Sequence, residues 1–403
     1  MKKMLILGMA LASLFACSKA ARDGFAPDGY MFDGKMAMDG ESAAGREPGA
    51  EPGGAGNGQS AAGRLTAGEW NDLDHWDFWG KLMTSQEQDN HAEYWGFYTN
   101  NRIAVHVVDV TDKPVAGAKV TLLRGGKAIW QAVTDNAGDA DLFAGLFQKE
   151  EADAADLSVL IESALQPGHP ILTGWNAEQG ASVNTYTVPA METPAAVDIA
   201  FIVDATGSMG DEISFLKEDL MDILTKAQAS QSDVKYRTAA LFYRDEGDAY
   251  LTRPSNFSKD FSTTINFIKK QDAGGGGDYP EAVHTALEQG LQALSWSESA
   301  RNRLAFLILD APAHYRPEIV ESLHASVEAY ARMGIRIIPV AASGVDKGTE
   351  FMCRFFAVST GGTYVFLTDH SGIGNAHIEP TIGEYKVEIL NDLILRLIGE
   401  YSR

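Results

Sequence analysis

The 403-residue sequence predicts an α/β domain, with a doubly wound and mostly parallel sheet, preceded by an all-β sandwich. From residue 196 onward, short apolar runs alternate with amphipathic stretches of helical period, as in folds built from βαβ units. Between residues 99 and 190, runs of alternating apolar and polar residues are separated by Gly, Pro and Asn, as in antiparallel sandwiches. Polar residues begin abruptly after the apolar run 199–203, which predicts a ligand site at the carboxyl end of a strand.

Residues 1–16 have the features of a secretory signal peptide. Two lysines precede an apolar run, residues 4–16, that is too short to span a membrane. The run leads into Leu14-Phe-Ala-Cys17, which resembles a lipobox. The resemblance implies cleavage before Cys17, lipid on its thiol and a lipoprotein of the bacterial cell envelope, in the outer membrane and exposed to the periplasm or the cell surface. Ordinary cleavage nearby, with release of a soluble protein, is the alternative.

Composition restricts the partners and the way in which the chain is stabilised. Residues 17–64 are rich in Gly, Ala, Pro, Asp and Glu, which predicts a flexible tether. The formal net charge of −22 argues against nucleic acid as a partner, because phosphate contacts require clustered Lys and Arg. Cys17 and Cys353 are the only cysteines, so a lipidated Cys17 leaves no intramolecular disulfide and the fold must depend on core burial.

Residues 65–98 form an aromatic-rich segment that contains four of the seven tryptophans: Trp70, Trp76, Trp79 and Trp95. We expect these rings to dock the segment onto the domain that follows. A recognition surface, for example for glycans, is the alternative, because aromatic side chains are also enriched in binding interfaces.

The predicted β domain spans residues 99–190 and contains six runs with strand character. They lie near residues 103–107, 118–123, 128–133, 140–143, 157–161 and 182–188. The sequences Lys113-Pro-Val-x-Gly117-Ala-x-Val and Thr134-Asp-x-x-Gly138 resemble carboxypeptidase-regulatory-like domains of the immunoglobulin type. That resemblance implies a spacer without catalytic residues.

The predicted α/β domain spans residues 196–403 and follows the linker that ends at Pro194. After its first strand and helix, the pattern predicts strands near residues 236–243, 304–309, 335–340 and 363–366. It predicts helices near residues 261–270, 280–294, 317–333, 350–358 and 385–398.

Three oxygen-bearing side chains, those of Asp204, Thr206 and Ser208, alternate through the turn after the first strand. Hard oxygens that meet above a sheet suit a hard divalent cation. The turn resembles the first motif of the metal-ion-dependent adhesion site in von Willebrand factor type A domains, Asp-x-Ser-x-Ser, over residues 196–403. The resemblance implies a Mg²⁺ or Mn²⁺ ion that binds an acidic side chain of a protein partner. A turn that merely caps the next helix is the alternative.

Two later loops supply further candidate ligands, Glu281 and Asp310. Most von Willebrand A domains have a threonine in the middle loop, and this sequence has none there. Instead, Asp278-x-Pro280-Glu281 resembles the integrin β-subunit I-like domain, as does Asp310-Ala-x-x-His314. The resemblance implies that Glu281 binds the central metal directly and that Asp310 acts through water or a hydrogen bond.

The same resemblance implies that neighbouring ions, such as Ca²⁺, flank the central one. Their candidate ligands are Asp211, Glu212, Asp245 and Asp278. Acidic residues at a helix start also complement the helix dipole, so Asp211 and Glu212 have a purely structural alternative.

An enzyme is the second class of function to consider. Thr206-Gly-Ser208-Met-Gly differs at one position from the nucleophile elbow Gly-x-Ser-x-Gly, and Asp310 with His314 or His370 would complete a hydrolase triad. Threonine replaces the first glycine of that tight turn, and the aspartate before it has no function in a hydrolase. The histidines show no zinc-binding spacing. We therefore expect a binding module and no catalytic residues.

Overall fold

The computed structural model describes residues 65–150, 156–174, 182–369 and 377–403. The predicted signal peptide, the lipidation site Cys17, the tether and His370 lie outside these residues. In the described part, no helix is both long and apolar enough to cross a membrane.

The described residues form fifteen strands and eight α-helices, numbered here in chain order. The aromatic-rich segment contributes β1 (Thr66–Trp70), α1 (Trp76–Met83) and α2 (Gln86–Trp95). The predicted β domain contributes β2 (Asn100–Asp109), β3 (Lys119–Arg124), β4 (Lys127–Val133), β5 (Asp139–Gly145), β6 (Leu157–Ile161), β7 (Ala164–Leu165) and β8 (Val183–Val188). The predicted α/β domain contributes β9 (Ala196–Asp204), α3 (Gly210–Ser230), β10 (Lys235–Tyr243), β11 (Thr252–Ser258), α4 (Phe261–Ile268), α5 (Val283–Gln292), β12 (Asn302–Leu309), α6 (Pro317–Arg332), β13 (Ile335–Ala341), α7 (Lys347–Thr360), β14 (Tyr364–Thr368), β15 (Glu388–Ile389) and α8 (Leu390–Glu400).

The largest sheet has eight strands in the order β11-β10-β9-β12-β13-β14-β1-β15. Strands β10, β9, β12, β13 and β14 run parallel, and the other three pair antiparallel with their neighbours. Helices α3, α4 and α8 cover one face, and α5, α6 and α7 cover the other. A mixed sheet between two helical layers is an α/β fold, as the alternating pattern predicts.

The central position of β9 follows from its sequence. Eight of its nine residues are buried, and successive side chains enter the two cores on opposite faces of the sheet. A strand that is apolar on both faces must be covered on both faces, so it lies in the interior of the sheet. Asp204 is the last residue of this strand, which places a carboxylate at the edge where the buried strand ends.

Strand β11 is a difference from the sequence prediction, which has no strand between residues 243 and 261. It is mostly polar, contains Pro254 and pairs antiparallel with β10 at one end of the sheet. Proline is tolerated in an edge strand because its missing N–H can face away from the ladder. A polar edge strand lacks the apolar alternation by which sequence analysis recognises strands.

The aromatic-rich segment docks as expected, but onto the α/β domain as well as onto the β domain. All four tryptophans, Trp70, Trp76, Trp79 and Trp95, are at most 7% exposed. Strand β1 inserts between β14 and β15 in the large sheet. Trp79 stacks on Phe351 of α7, and Trp76 lies under the guanidinium of Arg102 in β2. Buried rings cannot form a glycan-binding platform, so their burial favours docking over the recognition alternative.

The predicted β domain forms two small sheets, one of three strands in the order β5-β2-β8 and one of four in the order β4-β3-β6-β7. All pairs are antiparallel except β2 and β8, which pair parallel. A parallel pair needs a long crossover, and here the chain between residues 110 and 182 provides it. The strands therefore form as predicted, and the immunoglobulin-type resemblance remains a prediction.

The β domain packs against the α/β domain, and the described residues between 65 and 403 belong to one compact unit. The turn after β4 contacts the amino end of the large sheet, where Asn136 accepts a hydrogen bond from Asn302 at 3.0 Å and donates one to the Glu400 carbonyl at 2.8 Å. The opposite, carboxyl edge of the parallel strands is the edge that carries the predicted ligands.

Candidate metal centre

The candidate site lies at the carboxyl ends of β9, β10 and β12. From β9 the chain passes to β10 on one side and later returns to β12 on the other, so β9 marks the point at which the strand order reverses. Loops diverge at such a point and leave a crevice, where α/β folds bind their ligands. The topology therefore predicts a site at the position where the motif residues lie.

Asp204 is completely buried, and its two carboxylate oxygens have different surroundings. Oδ1 accepts hydrogen bonds from the backbone N–H of Thr206 at 2.8 Å and from its hydroxyl at 2.7 Å. Oδ2 is buried and has no hydrogen bond of normal geometry in the part of the chain that the structure describes, although the Tyr243 hydroxyl lies near enough to lower the pKa of Asp204. A buried carboxylate oxygen without a donor is costly, and a bound cation would remove that cost.

Glu281 lies beside this turn because a glycine-rich loop approaches it closely. Gly276 has φ +74°, and a Cβ placed on it would lie 3.1 Å from Oε1 of Glu281 and 3.3 Å from Cβ of Thr206. Only glycine fits comfortably between those two side chains with this backbone conformation. Glu281 is 4% exposed, and its Oε2 is a second buried oxygen without a partner among the described residues.

Asp310 and Ser208 form the other side of the site. Asp310 follows β12 directly and is 7% exposed, whereas Ser208 is exposed. Burial raises the pKa of Asp310, and a hydrogen bond from the Ser208 side chain opposes that shift. The loop after β12 is also tied to the glycine-rich loop, because the N–H of Glu281 donates to the Pro312 carbonyl at 2.8 Å.

The electrostatics of the site are those of crowded, desolvated carboxylates. Burial raises the pKa of Asp204 to about 7, with Asp310 adding to the shift. Burial also raises the pKa of Glu281 to about 9, and the charges of Asp204, Asp245, Asp310 and Asp248 add to it. Like charges in a low-dielectric site favour protonation unless a cation compensates them. The site therefore has an excess of negative charge that a divalent cation would neutralise.

The donor set fits a hard cation, with hydroxyl and carboxylate oxygens and no soft ligands. Within the described ranges, no three His, Cys, Asp or Glu side chains converge closely enough to hold a metal ion by themselves. Thr206, Ser208 and water would therefore have to complete the coordination shell. The unpartnered oxygens of Asp204 and Glu281 are the observation that favours such an ion.

The four residues predicted to bind neighbouring ions differ in their exposure and in their partners. Asp211 and Asp278 are exposed. Glu212 is 5% exposed, and burial raises its pKa to about 7, with Asp310 and Asp211 adding to the shift. Asp245 is buried and lies 2.7 Å from Nε2 of His314. The carboxylate predicted to bind a third ion is thus already paired with a side chain.

Asp248 was missed by the sequence analysis. Its Oδ2 accepts hydrogen bonds from the N–H of Gly276 at 2.9 Å and from that of Asp245 at 3.2 Å. It thereby fixes the glycine-rich loop that carries Glu281. The sequence carries one feature that could have identified Asp248. It lies in an acidic turn directly after β10, at the same edge of the sheet as Asp204.

The hydrolase arrangement is not assembled among the described residues. Ser208 donates a hydrogen bond to Asp310, and His314 contacts Asp245. Among the described residues, no imidazole therefore activates the Ser208 hydroxyl, and the other candidate, His370, lies outside them.

Comparisons with known proteins agree with the predicted domain. Residues 198–339 match the family model described as von Willebrand factor A domain. A protein of Acanthamoeba polyphaga mimivirus named as an ariadne-like RING finger protein is 35% identical over 126 residues, which is 31% of this chain and 12% of that protein. The alpha-protein kinase vwkA of Dictyostelium discoideum is 31% identical over 130 residues, which is 32% of this chain and 20% of the kinase.

Among solved structures, the conserved hypothetical protein BatB from Bacteroides thetaiotaomicron matches at 15% identity with a TM-score of 0.34. The match covers 52% of this chain and 98% of that chain. The family match shows that a von Willebrand factor A domain is present here, which confirms that part of the sequence prediction. The aligned regions span 12% and 20% of the two relatives, so their named activities belong to those proteins.

Proposed function

We propose that this chain is an envelope lipoprotein whose von Willebrand factor A domain binds a protein partner through a divalent cation. The domain itself suggests a function in protein interaction. The observation that carries the finer proposal is the pair of buried, unpartnered carboxylate oxygens, Asp204 Oδ2 and Glu281 Oε2, at the carboxyl edge of the sheet. Buried polar atoms usually meet a protein group, an ordered water or an ion, and a cation would meet both of these oxygens at once.

In this proposal Asp204 and Glu281 hold Mg²⁺ or Mn²⁺ directly, together with the hydroxyls of Thr206 and Ser208. Asp310 orients Ser208 through its hydrogen bond and contributes negative charge nearby. When bound, the cation supplies a coordination position that a carboxylate of the partner can occupy. Asp248 holds the glycine-rich loop in place through Gly276, so that Glu281 stays beside Thr206.

The central test is metal binding measured by calorimetry on the wild type and on Asp204→Ala. Loss of a charged ligand should weaken Mg²⁺ or Mn²⁺ binding by on the order of 100-fold, since even changes behind the ligands cost 10- to 100-fold in metal sites. Asp222→Ala is the control, because Asp222 lies on α3, the helix that follows the motif, and pairs with exposed Lys226. Equal metal affinity in all three proteins would refute the proposed site.

The lipid anchor is a separate part of the proposal and needs its own test. Cys17→Ser should abolish labelling by a fatty-acid probe and move the protein from the detergent-extracted membrane fraction to the soluble one. Cys353→Ser is the control, because that thiol is buried in α7. If Cys17→Ser is still labelled, the lipoprotein assignment is wrong, while the metal site is unaffected by that result.

A further inference from the structure

A cleft with a volume of about 770 Å³ lies where the β domain, the aromatic-rich segment and the α/β domain meet. Its walls come from the end of β1, the turn between β4 and β5, the turn between α7 and β14, and the end of α8. It lies at the amino edge of the parallel strands, opposite the candidate metal centre. Small-molecule sites often lie between domains and have volumes of about 300–1,000 Å³. The cleft therefore has the place and the size of a ligand site.

Arg336 lines this cleft with a buried guanidinium whose donors are poorly satisfied. The residue is 4% exposed, and its Nε is buried without a hydrogen-bond partner among the described residues. Its Nη2 lies 3.5 Å from Oδ2 of Asp135, which is longer than a good hydrogen bond. A guanidinium presents its N–H donors as a planar fork that matches the two oxygens of a carboxylate. The unpartnered nitrogen therefore indicates a ligand with a carboxylate.

Four aspartates line the same cleft: Asp74, Asp135, Asp139 and Asp141. Asp141 pairs with Arg102 at 2.7 Å, and Asp139 contacts His106 at 2.6 Å. Asp74 and Asp139 are exposed to solvent, yet partial desolvation by the surrounding walls raises the pKa of both. The charges of Asp135 and Asp141 add to each shift, which shows that the four carboxylates repel one another across the cleft.

The remaining charged groups of the wall do not offset this excess. Three glutamates, Glu69, Glu388 and Glu400, share one cation, Arg396. Among the residues that the structure describes, no three acidic side chains converge closely enough to hold a metal ion. Charge complementarity therefore favours an organic ligand that is cationic overall and carries its positive groups at separate points.

We propose that this cleft binds a small basic molecule that carries one carboxylate, either a basic amino acid or a short peptide of basic residues. Its carboxylate lies on the guanidinium of Arg336, and its ammonium groups lie on Asp74 and Asp139. The aliphatic parts of the ligand lie along Trp70 and Tyr385, whose rings belong to the wall and attract a neighbouring ammonium group. This site is separate from the proposed metal-dependent function and gives the chain a second ligand.

The experiment measures binding to the whole chain by isothermal titration calorimetry in EDTA, which keeps the metal centre free of cations. The probes are lysyl-lysine, lysine, cadaverine and norleucyl-norleucine. Cadaverine has the two amino groups of lysine without its carboxylate, whereas norleucyl-norleucine keeps the carboxylate and lacks the ammonium groups of the side chains. The four probes thus test each half of the proposed recognition separately.

Two variants remove the proposed contacts, Asp74→Asn/Asp139→Asn and Arg336→Gln. Glu218→Gln/Glu321→Gln is the matched control, because it also removes two exposed carboxylates and neither of them lines the cleft. Circular dichroism and melting temperature establish that each variant is folded. If Arg336→Gln does not fold, the comparison of lysyl-lysine with cadaverine on the wild type tests the same contact.

The expected result is that the wild type and the control bind lysyl-lysine more tightly than cadaverine or norleucyl-norleucine. The double asparagine variant should bind lysyl-lysine and cadaverine about tenfold more weakly, because both probes lose hydrogen bonds to charged groups. Arg336→Gln should weaken lysyl-lysine about tenfold and leave cadaverine unchanged. Tighter binding of lysyl-lysine than of lysine would identify a peptide as the ligand, and the reverse order would identify a free amino acid.

Three outcomes would overturn the proposal. If neither lysine nor lysyl-lysine binds at millimolar concentration, the cleft holds only water. Equal affinities for cadaverine and lysyl-lysine would show that Arg336 recognises no carboxylate. Binding that the double asparagine variant retains in full would place the basic ligand elsewhere on the acidic surface. None of these results bears on the metal site, which is tested by its own titration.

Discussion

At the scale of single residues, the main feature is the burial of carboxylates that face one another. In the proposed site Glu281 takes the place of the threonine that von Willebrand A domains commonly carry in the middle loop, which puts a second ionisable carboxyl group beside Asp204. Burial and the charge of Asp204 raise the pKa of Glu281 to about 9. The metal-free site therefore keeps a proton on Glu281 at neutral pH. Cation binding must displace it, so metal affinity should increase with pH.

We predict that the metal-free protein loses stability as pH rises. A carboxyl group whose pKa is higher in the folded than in the unfolded chain binds more protons when folded, so folding weakens as pH rises from the ordinary pKa of a glutamate, 4.5, through about 9. Melting temperatures in EDTA at pH 5, 7 and 9 should fall. In Glu281→Gln the fall should be smaller by at least about 2 °C.

The control for this prediction is Glu318→Gln, because Glu318 is 70% exposed on its side chain at the start of α6. Its melting temperatures should follow those of the wild type. Parallel pH profiles for wild type and Glu281→Gln would contradict the pKa assignment.

At the scale of elements, α7 links the candidate site to the aromatic-rich segment. Tyr279 contacts its amino end, and Arg354 near its middle forms a bidentate ion pair with Asp72, at 2.6 and 2.9 Å. Both side chains of the pair are only 1% exposed. A buried ion pair adds little compared with apolar residues, but breaking it leaves an uncompensated charge. The pair therefore fixes how the segment docks on α7.

We predict that Asp72→Asn destabilises the fold by about 3 kcal/mol, because the only anionic partner that Arg354 then keeps among the described residues is Glu350, at 3.4 Å, beside a hydrogen bond to the neutral Thr381 carbonyl. Asp77→Asn is the matched control, since Asp77 pairs with the exposed Lys81 in an i,i+4 contact and should cost less than about 1 kcal/mol. Urea denaturation measures both. Equal midpoints for the two variants would show that the buried pair does not hold the segment.

At the scale of the whole molecule, the aromatic-rich segment is part of the folded unit that contains the α/β domain. Strand β1 covers the edge of β14, and Phe97 stacks on Phe355 of α7 with centroids 3.7 Å apart. Burial of each tryptophan contributes about 4 to 6 kcal/mol before opposing entropy, from about 150–250 Å² at about 25 cal/mol/Å². Because the net stability of a typical domain is only about 5–15 kcal/mol, loss of even part of this burial should be felt by the whole fold.

We predict that a chain beginning at residue 99 is unstable, because it exposes the edge of β14 and the aromatic face of α7. It should aggregate or lose its cooperative melting transition, as measured by size-exclusion chromatography and circular dichroism. A chain beginning at residue 60 is the control and should remain monomeric and folded. If both chains melt alike, the segment is an accessory that the fold does not need.

The sequence by itself determined the features that depend on local periodicity and on strand ends. The buried run before Asp204, the alternation of strands and helices and the position of Asp310 after β12 all follow from which residues need burial on which face. Polar residues at strand ends face one edge of a parallel sheet, so the candidate ligands could be named without coordinates.

Only the tertiary structure decided the pairings between distant residues. The insertion of β1 beside β14, the edge strand β11 and the parallel pairing of β8 depend on which sheet edges remain free after the core has formed, and local sequence does not encode that. In the same way, His314 meets Asp245 across 69 positions of chain, and Tyr94 meets Tyr315 from a separate helix. Such contacts depend on the relative placement of whole elements, because packing of the shared cores sets the distance between their side chains.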